Sequence, residues 1–246
     1  MNTPLNKTAV PSFTVVRADE RGRTRLGWLD SAHSFSFGRY IDRGRMGFRA
    51  LRVINDDVVA PGGGFGEHPH ADMEIMTWML SGSLRHGDSL DNSEVLVPGE
   101  LQRMTAGSGI RHSEFNASST EPAHLLQVWI ESSERGLPPA YGQRPFPAEG
   151  RRGRWQTLAT GRPGDLDGEA FSIAQDASMR VADVDASSSL PLSVEPGRYA
   201  YVHVATGSAT LDGVALEAGD AAQVAGPAEL TLAGAPGAQV LAFDLA

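Results

Sequence analysis

Apolar residues along this chain fall in short runs and not at the three-to-four-residue spacing of an amphipathic helix. Phe13 to Arg17, Phe48 to Asn55, Glu74 to Leu80, Glu94 to Val97, Leu101 to Ala106 and His124 to Glu131, with β-branched or aromatic content in most of them, predict strands. Between them stand Pro61-Gly62-Gly63-Gly64, Ser81-Gly82-Ser83, Pro98-Gly99 and Gly107-Ser108-Gly109, which supply a positive or preset φ where the chain must reverse. A second series follows: Tyr199 to Val204, Ala209 to Leu211, Ala221 to Val224, Leu230 to Leu232 and Val240 to Phe243, punctuated by Gly207, Gly213, Gly219, Gly226 and Gly237. The pattern predicts an all-β protein of the sandwich or barrel type.

From Gly136 to Arg154 the apolar runs give way to Pro138, Pro139, Pro145, Pro147 and several glycines, the composition of a crossover between domains. The expected organisation is therefore a first barrel over 1–135, a linker over 136–154 and a second barrel over 155–246.

The candidate chemistry is confined to the first half. His203 is the one histidine of the second, whereas His68-Pro69-His70 and His112-Ser113-Glu114 each place two metal-binding side chains at i and i+2. In a strand these project from one face, about 7 Å apart, so each group offers two converging ligands to one side of a sheet. The segment 71–111 between them holds enough strand and turn signals to set the groups opposite one another. Pro69 predicts a strand start, a bulge or an edge, since proline cannot donate to a ladder. The glycines of 62–66 let the backbone bend before the first pair; a phosphate-cradling loop is excluded because no Gly-Lys-Ser/Thr follows. Glu74, near the first pair, is read as solvent-exposed or structurally hydrogen-bonded, with a fifth ligand or a partner for an imidazole N–H as the alternative. His33, His86, His124 and His203 have no partner at ligand spacing and are read as structural.

Composition narrows the chemistry. The chain has no cysteine, so disulfides, thiolate zinc sites, iron–sulfur clusters and cysteine nucleophiles are excluded, and any metal is held by nitrogen and oxygen. A net charge of -9 disfavours nucleic acid as a direct ligand. Arginines cluster at Arg17, Arg21, Arg23 and Arg25, then at Arg39, Arg43, Arg45, Arg49 and Arg52, either as a basic patch for a partner or as intramolecular ion pairs. Lys7 is the sole lysine, which fits GC-rich bacterial coding. Met1 to Val10 has no apolar signal core and no segment reaches the roughly 20 apolar residues of a membrane span, so a cytoplasmic location is expected.

The run Gly62 to Gly82, with His68, His70 and Glu74, resembles the first cupin motif, and Pro98-Gly99-Glu100 through Ala106-Gly107 to His112 and Asn116 is similar to the second, with Thr105 where proline is usual. Ser34-Phe35-Ser36-Phe37-Gly38, residues 51–57 (LRVINDD), residues 65–70 (FGEHPH) and residues 105–114 (TAGSGIRHSE) together resemble the pirin family. That resemblance implies a bicupin whose N-terminal barrel binds one metal through His68, His70, His112 and Glu114, and whose C-terminal barrel has lost its site. It also implies either a quercetin 2,3-dioxygenase, which opens a flavonol with O2 and releases carbon monoxide, or an iron-dependent regulator that binds a protein partner. A cupin isomerase that consumes no oxygen is a third possibility.

Three imidazoles and a carboxylate suit Fe(II), Mn(II), Ni(II), Cu(II), Co(II) or Zn(II). Iron is the first choice, because four protein ligands on a six-coordinate ion leave two positions for substrate and dioxygen. Phe65, Met76 and Trp78 are the apolar residues expected nearby, and Glu114 is a candidate base for the substrate hydroxyl.

Overall fold

The computed structural model describes residues 13–166 and 168–246, so Met1 to Val10 lies outside them. Among these residues three short 3-10 turns are the only helical structure, and no helix is long and apolar enough to cross a membrane. The first twelve strands are β1 (Phe13–Val16), β2 (Gly22–Leu26), β3 (Leu29–His33), β4 (Leu51–Val59), β5 (Gly64–His70), β6 (Met73–Ser81), β7 (Leu84–Asp88), β8 (Ser93–Leu96), β9 (Glu100–Thr105), β10 (Ile110–Asn116), β11 (Ala123–Glu131) and β12 (Ala140–Pro145). Five follow in the next stretch: β13 (Gln156–Thr160), β14 (Phe171–Ser172), β15 (Ala177–Val184), β16 (Leu190–Val194) and β17 (Tyr199–Thr206). The last are β18 (Ser208–Leu211), β19 (Val214–Glu217), β20 (Ala221–Ala225), β21 (Ala228–Gly234) and β22 (Ala238–Leu245).

These strands build two barrels of matching design. The first joins a seven-stranded sheet, β12-β9-β6-β11-β4-β3-β2, to a four-stranded one, β5-β10-β7-β8. The second joins β1-β20-β17-β22-β15-β13-β14 to β16-β21-β18-β19. This is the pair of barrels that the resemblance implied.

Two strands cross the expected boundaries. β1 pairs with β20 in the second barrel, Phe13 opposite Val224, where Phe13 enters the apolar core and Val16 packs toward the first barrel. Residues 136–154, expected as a linker, contain β12, which pairs with β9 in the first barrel with Tyr141 opposite Met104. Pro145 is tolerated because β12 lies at a sheet edge, where a missing N–H breaks no ladder.

The two seven-stranded sheets pack through their outer faces. One apolar cluster holds Met76, Trp78, Leu126 and Val128 from the first and Met179, Tyr201, Leu241 and Phe243 from the second. Met76 and Trp78, expected beside the site, therefore face the other barrel, and Trp78 Nε1 donates to Gln239 Oε1 at 2.6 Å. Because β6 is buried on both faces, hydrophobicity alone does not mark its inward side. Ile75 and Thr77 are the residues turned into the barrel.

Candidate metal centre

β5 and β10 run antiparallel, with His112 opposite His68 and Ile110 opposite His70. β5 is the edge strand of its sheet, so Pro69 costs no ladder bond. The register shifts between His112 and Glu114, and Glu114 then pairs with Phe65. This bulge changes the inside–outside parity of β5, so that Phe65, His68 and His70 all line one cavity. Gly64 makes the approach possible: a Cβ there would stand 2.3 Å from the Glu114 carbonyl oxygen.

Three imidazoles converge. His112 Nε2 lies 3.0 Å from His70 Nε2 and 3.1 Å from His68 Nε2. His68 Nδ1 donates to the Gly66 carbonyl at 2.8 Å, which leaves its Nε2 as a lone pair facing the cluster. A neutral imidazole nitrogen cannot hydrogen-bond two others at once if each of those also presents a lone pair; a cation among them relieves that conflict. Nitrogens about 2.1 Å from one ion and at right angles to one another would be about 3.0 Å apart, close to the spacing found. The donor set thus fits a divalent transition ion. Burial, together with the neighbouring imidazoles, pushes His70 down to about 4 and His112 down to about 3, so both stay neutral and ready to ligate at physiological pH.

Glu114 is buried, and burial pushes its carboxyl above the ordinary carboxylate range. Gln127 Nε2 donates to its Oε2 at 2.9 Å, and the Thr77 hydroxyl lies 3.3 Å from Oε1. Glu114 forms with His112 and His86 a second group whose ligand atoms lie within 4.8 Å of one another. His86, read from the sequence as structural, is buried directly opposite Glu114 in register and hydrogen-bonds Asp88 Oδ2 through Nε2 at 2.9 Å. His86-Gly87-Asp88 repeats the i, i+2 spacing of the ligand groups, which was the available signal. Glu74 stands apart. It accepts hydrogen bonds from the Thr105 hydroxyl at 2.8 Å and from the Ala174 N–H at 3.1 Å, tying β6 to the second half of the chain, in the structural role read for it from the sequence.

The cluster forms part of the wall of a cavity of about 430 Å³. Trp28, Phe37, Phe65, Ile75 and Trp129 supply its apolar lining, and Trp129 meets His70 edge to face at 4.8 Å between ring centroids. The facing sheet adds Ser31, His33, Asn55 and Asp57, none of them singled out from the sequence as site residues. The signal lay in Asn55-Asp56-Asp57, a polar stretch in the middle of the apolar strand β4. Burial raises Asp57 to about 7.

Two matched barrels, one of them holding convergent imidazoles around an open interior, define a bicupin with a metal-capable N-terminal half. Comparison with known proteins places it further. Residues 15–130 match the Pirin family and residues 163–245 the quercetinase C-terminal cupin domain. The chain belongs to the pirin family. It is 43% identical over 230 residues to the quercetin 2,3-dioxygenase of Escherichia coli K12, covering 93% of this chain and 96% of that protein. The crystal structure of YhhW from E. coli superposes with a TM-score of 0.88 at 39% identity, covering 95% of this chain and 97% of that one. The same bacterial pirin in complex with nickel(II) gives 0.86 at 40% identity, covering 95% and 98%.

Proposed function

We propose that this protein is a metal-dependent dioxygenase that opens the heterocycle of a flavonol such as quercetin with O2, releasing carbon monoxide, in the cytoplasm. The observation that carries the reading is the meeting of three imidazole Nε2 atoms, near a buried carboxylate, in the wall of an aromatic-lined cavity. The residues assigned to the metal are His68, His70, His112 and Glu114. Fe(II) is the metal proposed, for the two positions it leaves open, and the nickel(II) complex of the E. coli relative makes nickel its first competitor.

Held by these residues, Fe(II) would supply a redox-active centre for the reaction of a deprotonated flavonol with dioxygen. The chain prepares the substrate for that centre. Glu114 accepts the proton of the flavonol hydroxyl, and its raised proton affinity makes it a stronger base than a surface carboxylate. Gln127 and Thr77 hold its two oxygens, so its orientation is set before substrate enters. Trp28, Phe65 and Trp129 take up the planar rings and exclude water. A divalent ion with an ionised Glu114 would carry one net positive charge; once Glu114 has taken the hydroxyl proton it is neutral and the flavonol mono-anion carries the negative charge in its place, so ligand and base are competing roles of this residue.

Anaerobic titration with quercetin followed by admission of oxygen tests this: loss of flavonol absorbance with release of carbon monoxide is expected. Unchanged absorbance and no carbon monoxide from iron-loaded protein would defeat it. The rival reading, a redox-sensing regulator that binds a protein, drew on the arginine cluster. Arg17, Arg21, Arg23, Arg25 and Arg45 are paired within the chain with Asp220, Asp56, Asp30 and Glu20, and Arg49 and Arg52 donate to the carbonyls of Ala246 and Ser36. Arg39 and Arg43, the other two of the cluster, make no ion pair or side-chain hydrogen bond among the described residues, and Arg39 borders the cavity; two such side chains do not make the basic patch that reading drew on.

A further inference from the structure

The cavity wall contributed by β3 and β4 is polar where barrel packing alone would favour apolar side chains. Ser31, His33, Asn55 and Asp57 are all buried and all border the cavity. His33 is committed within the wall. Its Nδ1 lies 2.7 Å from Asn55 Oδ1 and therefore donates, so Nε2 accepts from the Thr24 hydroxyl at 2.8 Å. Asp57 is different: its Oδ1 is buried with no hydrogen-bond partner among the described residues. Leaving a carboxyl oxygen buried and unpaired is costly, and a hydrogen-bonding group brought into the cavity beside it would relieve that cost. Ser31 stands directly opposite Asp57 in register and hydrogen-bonds its carboxyl, with its hydroxyl also 3.3 Å from His33 Nδ1, so it holds the carboxyl while Oδ1 stays unpaired.

The remaining wall is aromatic and aliphatic, so the cavity offers broad apolar faces with one polar edge in addition to the histidine cluster. That is the complement of a flat aromatic compound with hydroxyls on its periphery. A bare aromatic would fill the same space and leave Asp57 Oδ1 unpaired. We propose that Asp57, with Ser31 beside it, forms a subsite that hydrogen-bonds a phenolic hydroxyl on a substrate ring other than the one opened, so that the protein selects polyhydroxylated over bare flavonols. The subsite rests on the dioxygenase reading of this cavity and adds a specificity element on the sheet that carries none of the metal-assigned residues.

The test uses metal-loaded protein under anaerobic conditions, with binding of quercetin and of 3-hydroxyflavone read by tryptophan fluorescence quenching, followed by kcat/KM for each in air. Wild type should prefer quercetin. Asp57→Ala should cut that preference about tenfold while leaving affinity for 3-hydroxyflavone within about twofold, as expected when a buried polar group loses its pairing role. Asp57→Asn keeps an oxygen acceptor and should retain most of the preference, and Ser31→Ala should shift it the same way by less, which keeps the test open if Asp57→Ala does not fold. Equal losses for the two flavonols, or an unchanged preference in folded Asp57 and Ser31 variants, would overturn the subsite while leaving the dioxygenase reading intact. Failure of wild type to bind either flavonol would overturn that reading, and the subsite with it.

Discussion

In the first barrel the strand pair β5–β10 turns His68, His70, His112 and Glu114 toward the interior; in the second, the pair at the same place in the strand order, β16–β21, presents Leu190, Leu192, Leu230 and Leu232. Those leucines join Val202, Leu211, Leu216 and Val240 in a packed apolar core. The first barrel keeps a cavity of about 430 Å³ where the second is filled. Each choice has its cost. A filled barrel gains burial and dispersion but has no room for a ligand, whereas an open one gives up that packing and must satisfy every polar group it turns inward. The second barrel compensates for the first by offering its seven-stranded sheet as a partner surface, and the shared core between the sheets makes the pair one folding problem.

That contrast can be broken from either side. The largest effect is expected from His112→Ala, which removes the nitrogen common to both close contacts. Metal content and turnover should collapse while the melting temperature falls only modestly; elemental analysis of protein purified without added metal decides it, and full occupancy would refute the ligand assignment. Leu232→Ala should do the reverse. Deleting a fully buried leucine from the filled barrel should cost about 2–5 kcal/mol of stability in urea titrations, with metal content per folded molecule unchanged.

A third effect belongs to the seam between the barrels. His203, fully buried with neither ring nitrogen hydrogen-bonded among the described residues, is pushed down to about 4 by burial and by Arg21. Between its unfolded value of about 6.5 and that folded value, the unfolded chain binds a proton that the folded one refuses, so its contribution to stability, complete above pH 6.5, is lost as pH falls toward 4. The full shift corresponds to roughly 3 kcal/mol. His203→Leu should flatten the stability curve over this window, and an identical slope in wild type and variant would contradict the assignment. The smallest effect is expected at Gln127→Ala, which frees one oxygen of Glu114 and should weaken metal binding about tenfold without changing the fold.

The shared face of these side chains was legible because a strand's period is local: His68 with His70 and His112 with Glu114 point the same way once their segments are extended, whatever the rest of the chain does. The two-barrel outline was legible for a similar reason, since glycine and proline punctuate the strands where they end. Three features were not. β6 is apolar on both faces, so nothing in its residues told Met76 and Trp78 from Ile75 and Thr77 as the inward set. His86 had only the spacing to Asp88 as a signal, and its place beside the histidine cluster came from pairing with Glu114 in the neighbouring strand. β1 and β12 were assigned by position along the chain, whereas each found its unpaired edge elsewhere.

The amino-acid sequence alone therefore determined what kind of ion this protein can hold, through nitrogen and oxygen donors without a single thiolate, and that the chain folds as strands. Only the tertiary structure decided which barrel stays open, which wall faces the histidines and which polar atom is left waiting for a partner. The spacing of neighbours within a strand follows from backbone geometry, but register, bulges and sheet edges are settled by packing between segments far apart in the chain.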